Sequence, residues 1–109
     1  MIKIEAVLDT NGVLRTCSAS GHSGAGPKGA DIICAAVSVL MRTAVRVLSG
    51  RKGITIRYYA PEPGFLSVEA DYTEEGKDFL FAVGEFLVEG LASVAGEYPE
   101  SCNFVVRRT

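Results

Sequence analysis

The chain of 109 residues has few of the side chains that build metal sites or disulfide frameworks. It contains one histidine, His22, and three cysteines, an odd number that includes no Cys-x-x-Cys pair. A structural zinc site would need thiolate or carboxylate ligands from distant positions, so we predict no metal site and no cofactor. Reduced thiols are typical of cytoplasmic proteins, and we therefore expect a cytoplasmic location.

The chain also lacks an excess of basic residues and a long apolar run. Eleven Lys and Arg stand against thirteen Asp and Glu, a formal net charge of −2, so we expect no direct binding of nucleic acid. The opening residues, MIKIEAVLD, alternate apolar and polar side chains, unlike the apolar centre of a signal peptide. No uninterrupted apolar run approaches the roughly 18 residues of a membrane span, so we expect no membrane partner.

The composition that remains is globular, with 48% hydrophobic and 22% charged residues. Period-two alternation predicts strands over residues 2–8, about 13–19, 54–58, 66–72 and 102–106. Helical spacing predicts helices from about Ile33 to Ser49 and over about 74–95, and Gly84 and Gly90 in the second helix indicate close packing. The order ββαββαβ predicts an α+β fold, in which residues 1–109 form one two-layer domain with a five-stranded mixed sheet and two helices on one face.

The stretch GHSGAGPKGADIICAAVS, residues 21–38, follows the second predicted strand and allows three interpretations as an active site. A serine-hydrolase elbow needs Gly-x-Ser-x-Gly, but Ala25 stands where the last glycine is required, and the lone histidine adjoins Ser23. A dinucleotide loop matches Gly24-x-Gly26-x-x-Gly29, but the acidic residue expected about twenty positions later is missing. Both interpretations are therefore weaker than the third.

The third interpretation is a thiol enzyme. Asp31 is a natural N-cap, which would place Cys34 in the first helical turn, where free amide donors and the helix dipole stabilise a thiolate. His22 on the glycine-rich loop would act as the general base. Cys17 and Cys102 lie in predicted strands and are interpreted as packing residues. A cysteine in an Ala-rich helix is also typical of a small buried hydrophobe, so a structural role for Cys34 stays open at this point.

Two parts of the same stretch match a known pattern together. They are Gly21-His22-x-Gly24 and Gly29-x-Asp31-Ile32-Ile33-Cys34-Ala35-Ala36-Val37-Ser38, and they closely resemble the signature of the ribosomal-processing cysteine proteases called Prp. The resemblance extends in size and element order over nearly the whole chain. It implies an endopeptidase that removes the short N-terminal extension of bacterial large-subunit ribosomal protein twenty-seven, cleaves after an aromatic pair, and works as a homodimer.

The resemblance also implies the roles of particular residues. His22 is expected to be the general base and Cys34 the nucleophile of a Cys-His dyad, with Asp31 and Ser38 in support. The glycines expected to form the substrate loop are Gly21, Gly24, Gly26 and Gly29. The alternative is a non-catalytic, ribosome-associated module that uses the glycine-rich loop to bind a partner.

Overall fold

The structure is a computed structural model that describes residues 1–21 and 28–109, and for residues 28–31 it describes the backbone alone. The strands are β1 (Ile2–Leu8), β2 (Leu14–Ser20), β3 (Ile54–Tyr59), β4 (Phe65–Tyr72) and β5 (Cys102–Arg108). The helices are α1 (Lys28–Leu48) and α2 (Lys77–Glu97), and a short 3₁₀ turn over Glu74–Gly76 precedes α2. The predicted α+β class and the order ββαββαβ are confirmed.

The strands form one mixed sheet in the order β3-β4-β2-β1-β5. Three of the neighbouring pairs are antiparallel, and β1 pairs with β5 in parallel, with Ile2 opposite Cys102. The pattern within β1 explains the predicted alternation, because Ile2, Ile4 and Ala6 are buried while Lys3 is exposed. One face of the sheet therefore carries the core.

Both helices cover that face. The sheet and the two helices bury a main cluster of apolar side chains, to which α1 contributes Ile33, Val37, Met41 and Ala44 and α2 contributes Leu87 and Leu91. These residues recur at helical spacing, so each helix presents one apolar stripe to the sheet. A second, smaller cluster contains Val13, Leu48, Ala70 and Leu80. The two-layer arrangement that the sequence predicts is confirmed.

The turn between β1 and β2 is held by hydrogen bonds to a polar side chain, Asp9. The Asp9 carboxylate accepts hydrogen bonds from the backbone N–H groups of Asn11 and Val13, at 2.8 and 3.0 Å, and from the Tyr72 hydroxyl. Desolvation by burial acts to raise the pKa of Asp9, but these hydrogen bonds and the nearby Arg15 charge outweigh it and lower the pKa. The network ties the hairpin to the end of β4.

Gly84 and Gly90 lie where the helix layer packs most tightly, as predicted. A Cβ atom added at Gly84 would lie 2.9 Å from the Leu14 Cβ atom, and one at Gly90 would lie 3.1 Å from Leu40 Cδ2. The two glycines therefore allow α2 to approach β2 and α1 closely.

The first helix begins earlier than predicted. Its first residue is Lys28, so Asp31 is the fourth residue of α1 rather than its N-cap, and Cys34 lies in the second turn. An acidic residue is favoured throughout the first turn of a helix, where the macrodipole is positive, so its presence in the sequence did not fix the starting residue. The prediction that Asp31 caps the helix is wrong.

By length and composition alone, the helical segment Glu74–Glu97 is apolar enough to cross a membrane. The sequence shows no uninterrupted apolar run here, because Glu85 and Glu89 divide the segment. In the structure Leu80, Leu87 and Leu91 of this segment are buried in the core. A core helix passes the same test of composition, so this segment is weak support for a membrane span.

Candidate active site

Cys34 is a half-buried residue on the second turn of α1. Its neighbours on the same helix explain its position: Ile33 and Val37 are buried in the core, so Cys34 lies at the border of the apolar stripe. Ser38 follows one turn later and is also half-buried. Cys34 and Ser38 both line a cleft at one end of the sheet.

The cleft forms where β1 and β4 begin and where β2 and β3 end, with α1 along one side. It has a volume of about 540 Å³. The residues that line it are Ile2, Ala19, Gly21, Cys34, Val37, Ser38, Tyr58, Ala60, Glu62, Pro63, Gly64, Phe65 and Leu66. Two of its walls are aromatic side chains that stay partly open to solvent, Tyr58 at 40% exposure and Phe65 at 38%. Such a cleft suits a ligand with apolar or aromatic groups.

Gly21 joins the cleft to the glycine-rich stretch that follows it. Its φ angle is +94°, in the left-handed region that favours glycine. A Cβ atom at this position would overlap the carbonyl group of Met1, and the Gly21 N–H donates to the Gly64 carbonyl at 2.9 Å. The backbone therefore leaves β2 in a conformation that requires glycine and is held against the turn between β3 and β4.

The other two cysteines differ from Cys34 in exposure. Cys17 in β2 is fully buried, and burial raises its pKa to about 12. Cys102 in β5 is also buried, and its pKa is raised first by burial and then by the charge of the Cys34 thiolate. Neither thiol is available as a nucleophile near neutral pH, since the thiolate is the reactive form. The interpretation of Cys17 and Cys102 as packing residues is confirmed.

The remaining predicted site residues divide into two groups. Gly29 and Asp31 lie in the first turn of α1, ahead of Cys34 along the same helix. The other group lies outside the described residues and consists of His22, Gly24 and Gly26. The pairing of the His22 imidazole with the Cys34 sulfur therefore stays a prediction. No group of three His, Cys, Asp or Glu that could hold a metal is found within residues 1–21 and 28–109.

The sequence did not identify the far wall of the cleft. Tyr58 and Phe65 flank the turn Ala60–Gly64 between β3 and β4, and period-two reasoning assigned Tyr58 to the strand pattern alone. The available signal was the pair of aromatic residues on either side of the proline-rich turn. It pointed to a ligand only once the topology placed that turn beside α1.

A half-buried thiol on a helix, beside a cleft lined in part by aromatic side chains, is an arrangement that suits a thiol-dependent enzyme. A family model described as cysteine protease Prp matches residues 1–103. The chain therefore belongs to the cysteine protease Prp family, and it is a cysteine protease.

Solved structures share the fold over the full length of the chain. SMU.848 from Streptococcus mutans has a TM-score of 0.79 at 24% identity, with 100% of this chain and 96% of that chain covered. The essential ribosomal processing protease Prp from S. aureus, solved with a substrate peptide, has a TM-score of 0.78 at 19% identity, with both chains fully covered. The same S. aureus protein with a covalently linked product peptide gives 0.76 at 20% identity, again with both chains fully covered. A comparison with curated proteins finds no match.

Proposed function

We propose that this chain is an endopeptidase that removes the short N-terminal extension of bacterial large-subunit ribosomal protein twenty-seven, cleaving after an aromatic pair. Membership of the Prp family and the peptide-bound S. aureus relative support the choice of a ribosomal substrate. The observation that carries the proposal is the contrast among the three thiols. Cys34 lines an open cleft, whereas Cys17 and Cys102 are buried.

The proposed chemistry is acyl transfer through a Cys-His dyad. His22 takes the proton of the Cys34 thiol, and the resulting thiolate attacks the carbonyl carbon of the scissile bond. The C–N bond then breaks as His22 gives that proton to the departing amine. Water, deprotonated by His22, then attacks the thioester, which releases the carboxylate product and restores the thiol. The loop glycines Gly21, Gly24, Gly26 and Gly29 are proposed to bind the substrate backbone. Asp31 and Ser38, which share α1 with Cys34, are proposed as supporting residues.

The cleft fits a peptide that carries an aromatic pair. Tyr58 and Phe65 offer aromatic faces for offset or edge-to-face packing, and Leu66 and Val37 contribute aliphatic walls. A volume of about 540 Å³ falls within the range of sites that enclose small ligands or several side chains. The S. aureus relative binds its substrate peptide on the same fold.

We propose a homodimer as the working state, in the cytoplasm, with residues 1–109 as a single protease domain. The surface that supports a dimer is the outer groove between the helices, lined by Leu40, Thr43, Ala44, Val47, Ala82, Val83, Phe86 and Leu87. Phe86 in this outer groove is 75% exposed. The solvent side of α1 carries Arg42 and Arg46 and that of α2 carries Glu85 and Glu89. A two-fold axis parallel to the helices would therefore set opposite charges against each other.

The test is incubation of the enzyme with a peptide that spans the proposed cleavage point. Wild type should release the product after the aromatic pair, and Cys34→Ala and His22→Ala should lower the rate by at least a hundredfold. Cys17→Ala is the matched control, because it removes a buried thiol and should leave activity largely intact wherever circular dichroism shows a folded protein. Cleavage that persists in Cys34→Ala would overturn the proposed nucleophile. Binding of the peptide without cleavage by wild type would favour the non-catalytic module instead.

A further inference from the structure

The cleft carries one carboxylate on its rim, Glu62. Its other lining residues are apolar, aromatic or small, and no lysine or arginine is among the described residues that line it. The described ion pairs lie elsewhere, and those nearest to this wall join Arg57 and Arg15 to Asp71 in β4. Among its described lining residues the cleft therefore carries one negative side chain beside apolar and aromatic ones.

Glu62 is held in place by its neighbours in the chain. It lies between Pro61 and Pro63, whose rings fix their own φ angles, and a following proline restricts Glu62 itself to extended backbone. The Glu62 carbonyl accepts a hydrogen bond from the Phe65 N–H at 3.3 Å, and the Gly64 carbonyl is tied to Gly21. The turn therefore fixes the backbone from which the Glu62 side chain extends, while the exposed side chain itself still has to be ordered when it binds a charged group.

We infer that Glu62 is a specificity-determining residue, which binds an ammonium or guanidinium group of the peptide substrate close to the scissile bond. This inference rests on the proposed peptidase function and adds a second requirement to the aromatic pair, namely a cationic side chain. The cation would lie between the Glu62 carboxylate and the exposed rings of Tyr58 and Phe65. The carboxylate supplies an ion pair and the rings a cation–π contact, and the pair has the modest strength of a surface ion pair because Glu62 is exposed to solvent.

The experiment uses a set of substrate peptides in which a single lysine is moved along the sequence one position at a time, each paired with a norleucine peptide of the same length. Norleucine keeps the aliphatic stem and removes the charge. At one position near the scissile bond, wild type should show a kcat/KM about two- to fivefold higher for lysine than for norleucine. The preference should shrink as salt is raised to about 1 M, since the ion pair is screened.

Two variants of the enzyme identify the carboxylate responsible. Glu62→Gln should remove the preference, so that the ratio of the lysine rate to the norleucine rate falls to about one, and Glu62→Lys should favour a glutamate peptide over a lysine peptide at the same position. Glu74→Gln is the matched control, because Glu74 is exposed and follows the opposite end of β4, away from the cleft. A lysine preference that survives in Glu62→Gln, or the absence of any preference in wild type, would overturn the inference.

A binding readout separates this inference from the proposed reaction. Cys34→Ala should bind the lysine peptide about two- to fivefold more tightly than the norleucine peptide in a fluorescence polarisation assay, and Cys34→Ala combined with Glu62→Gln should bind both alike. If wild type cleaves no peptide but this difference in affinity is present, the peptidase function fails and the role of Glu62 stands. If wild type cleaves lysine and norleucine peptides equally well, the role of Glu62 fails and the peptidase function stands.

Discussion

Three glycines on α2 provide a test of how closely the helix layer packs, because their surroundings differ. Gly84 and Gly90 lie in the interior of the helix, and Gly96 lies in its last turn. Gly84 faces Leu14, Gly90 faces the end of the Leu40 side chain, and nothing lies within 4 Å of a Cβ atom built at Gly96. A Gly→Ala change in the interior of a helix gains about 0.5–1 kcal/mol of unfolding free energy from helix propensity, and one in the last turn gains less. The differences among the three variants then report the packing.

At Gly84 the added methyl group would lie 2.9 Å from the Leu14 Cβ atom and 3.7 Å from the Leu14 backbone nitrogen. Leu14 is buried on β2, so α2 itself must move away from the sheet. Overpacking of this kind costs about 1–3 kcal/mol, which exceeds the gain in propensity. We expect Gly84→Ala to lower the free energy of unfolding by about 1–2 kcal/mol.

A Cβ atom added at Gly90 would lie 3.1 Å from Cδ2 and 3.3 Å from Cδ1 of Leu40, which is a half-buried residue. Leu40 can turn aside at small cost, so Gly90→Ala should stay within about 0.5 kcal/mol of wild type. Gly96→Ala meets no neighbour and should raise the free energy of unfolding by about 0.5 kcal/mol or less, because Gly96 lies in the last turn of α2. The expected order of stability is Gly96→Ala, then Gly90→Ala, then Gly84→Ala.

Urea unfolding followed by circular dichroism, at a fixed protein concentration, measures these differences. With a slope of about 1–3 kcal/mol/M, a difference of 2 kcal/mol separates the midpoints of Gly84→Ala and Gly96→Ala by about 1 M. Equal midpoints for these two variants would refute the close approach of α2 to β2. A changed slope in Gly84→Ala would indicate a looser native state.

Two further predictions concern the cleft and the surface. Gly21→Ala should lose about 2–4 kcal/mol in urea unfolding and most of its peptidase activity, because its φ of +94° disfavours a side chain and the Met1 carbonyl occupies the space. Gly50→Ala is the control, because Gly50 has a φ of +78° and no neighbour within 4 Å, so the change introduces backbone strain without a steric overlap. It should lower the free energy of unfolding by only about 1–2 kcal/mol. Equal losses in the two variants would contradict the overlap between a side chain at Gly21 and the Met1 carbonyl. Phe86→Lys should yield a monomer in sedimentation analysis, because it places a charge in the outer groove. Phe81→Lys changes the same helix outside the outer groove and should leave the dimer intact. A dimer in both variants would exclude the outer groove as the dimer interface.

The sequence predicts most of the fold because its elements have uninterrupted periodicity. Alternation in MIKIEAVL and in the segment before Tyr72 is strong enough to give strand bounds within a residue or two. The start of α1 was missed because Lys28, Gly29 and Ala30 carry no apolar stripe and no strong capping signal, so Asp31 was taken as the boundary. Helix termini depend on local backbone hydrogen bonds, which a hydrophobic pattern does not report.

The candidate site was predictable on one side only. Cys34 and Ser38 follow from their spacing on a single helix, which a sequence states directly. The facing wall contains Tyr58, Glu62 and Phe65, which follow Cys34 in the sequence by about twenty to thirty positions. These residues lie beside Cys34 only because the strands pair in the order β3-β4-β2. That order is a long-range property, since it depends on which strand edges pair and not on the residues within each strand.

The parallel pairing of β1 with β5 has a consequence for how the cleft forms. Ile2 lines the cleft and lies opposite Cys102, so the two strands of this ladder are joined by all the other elements of the fold. Pairs between segments so far apart in sequence form slowly, because a long loop must close before any contact stabilises it. We therefore expect the Ile2 edge of the cleft to become ordered late in folding, after the antiparallel pairs and helices that lie between the two strands.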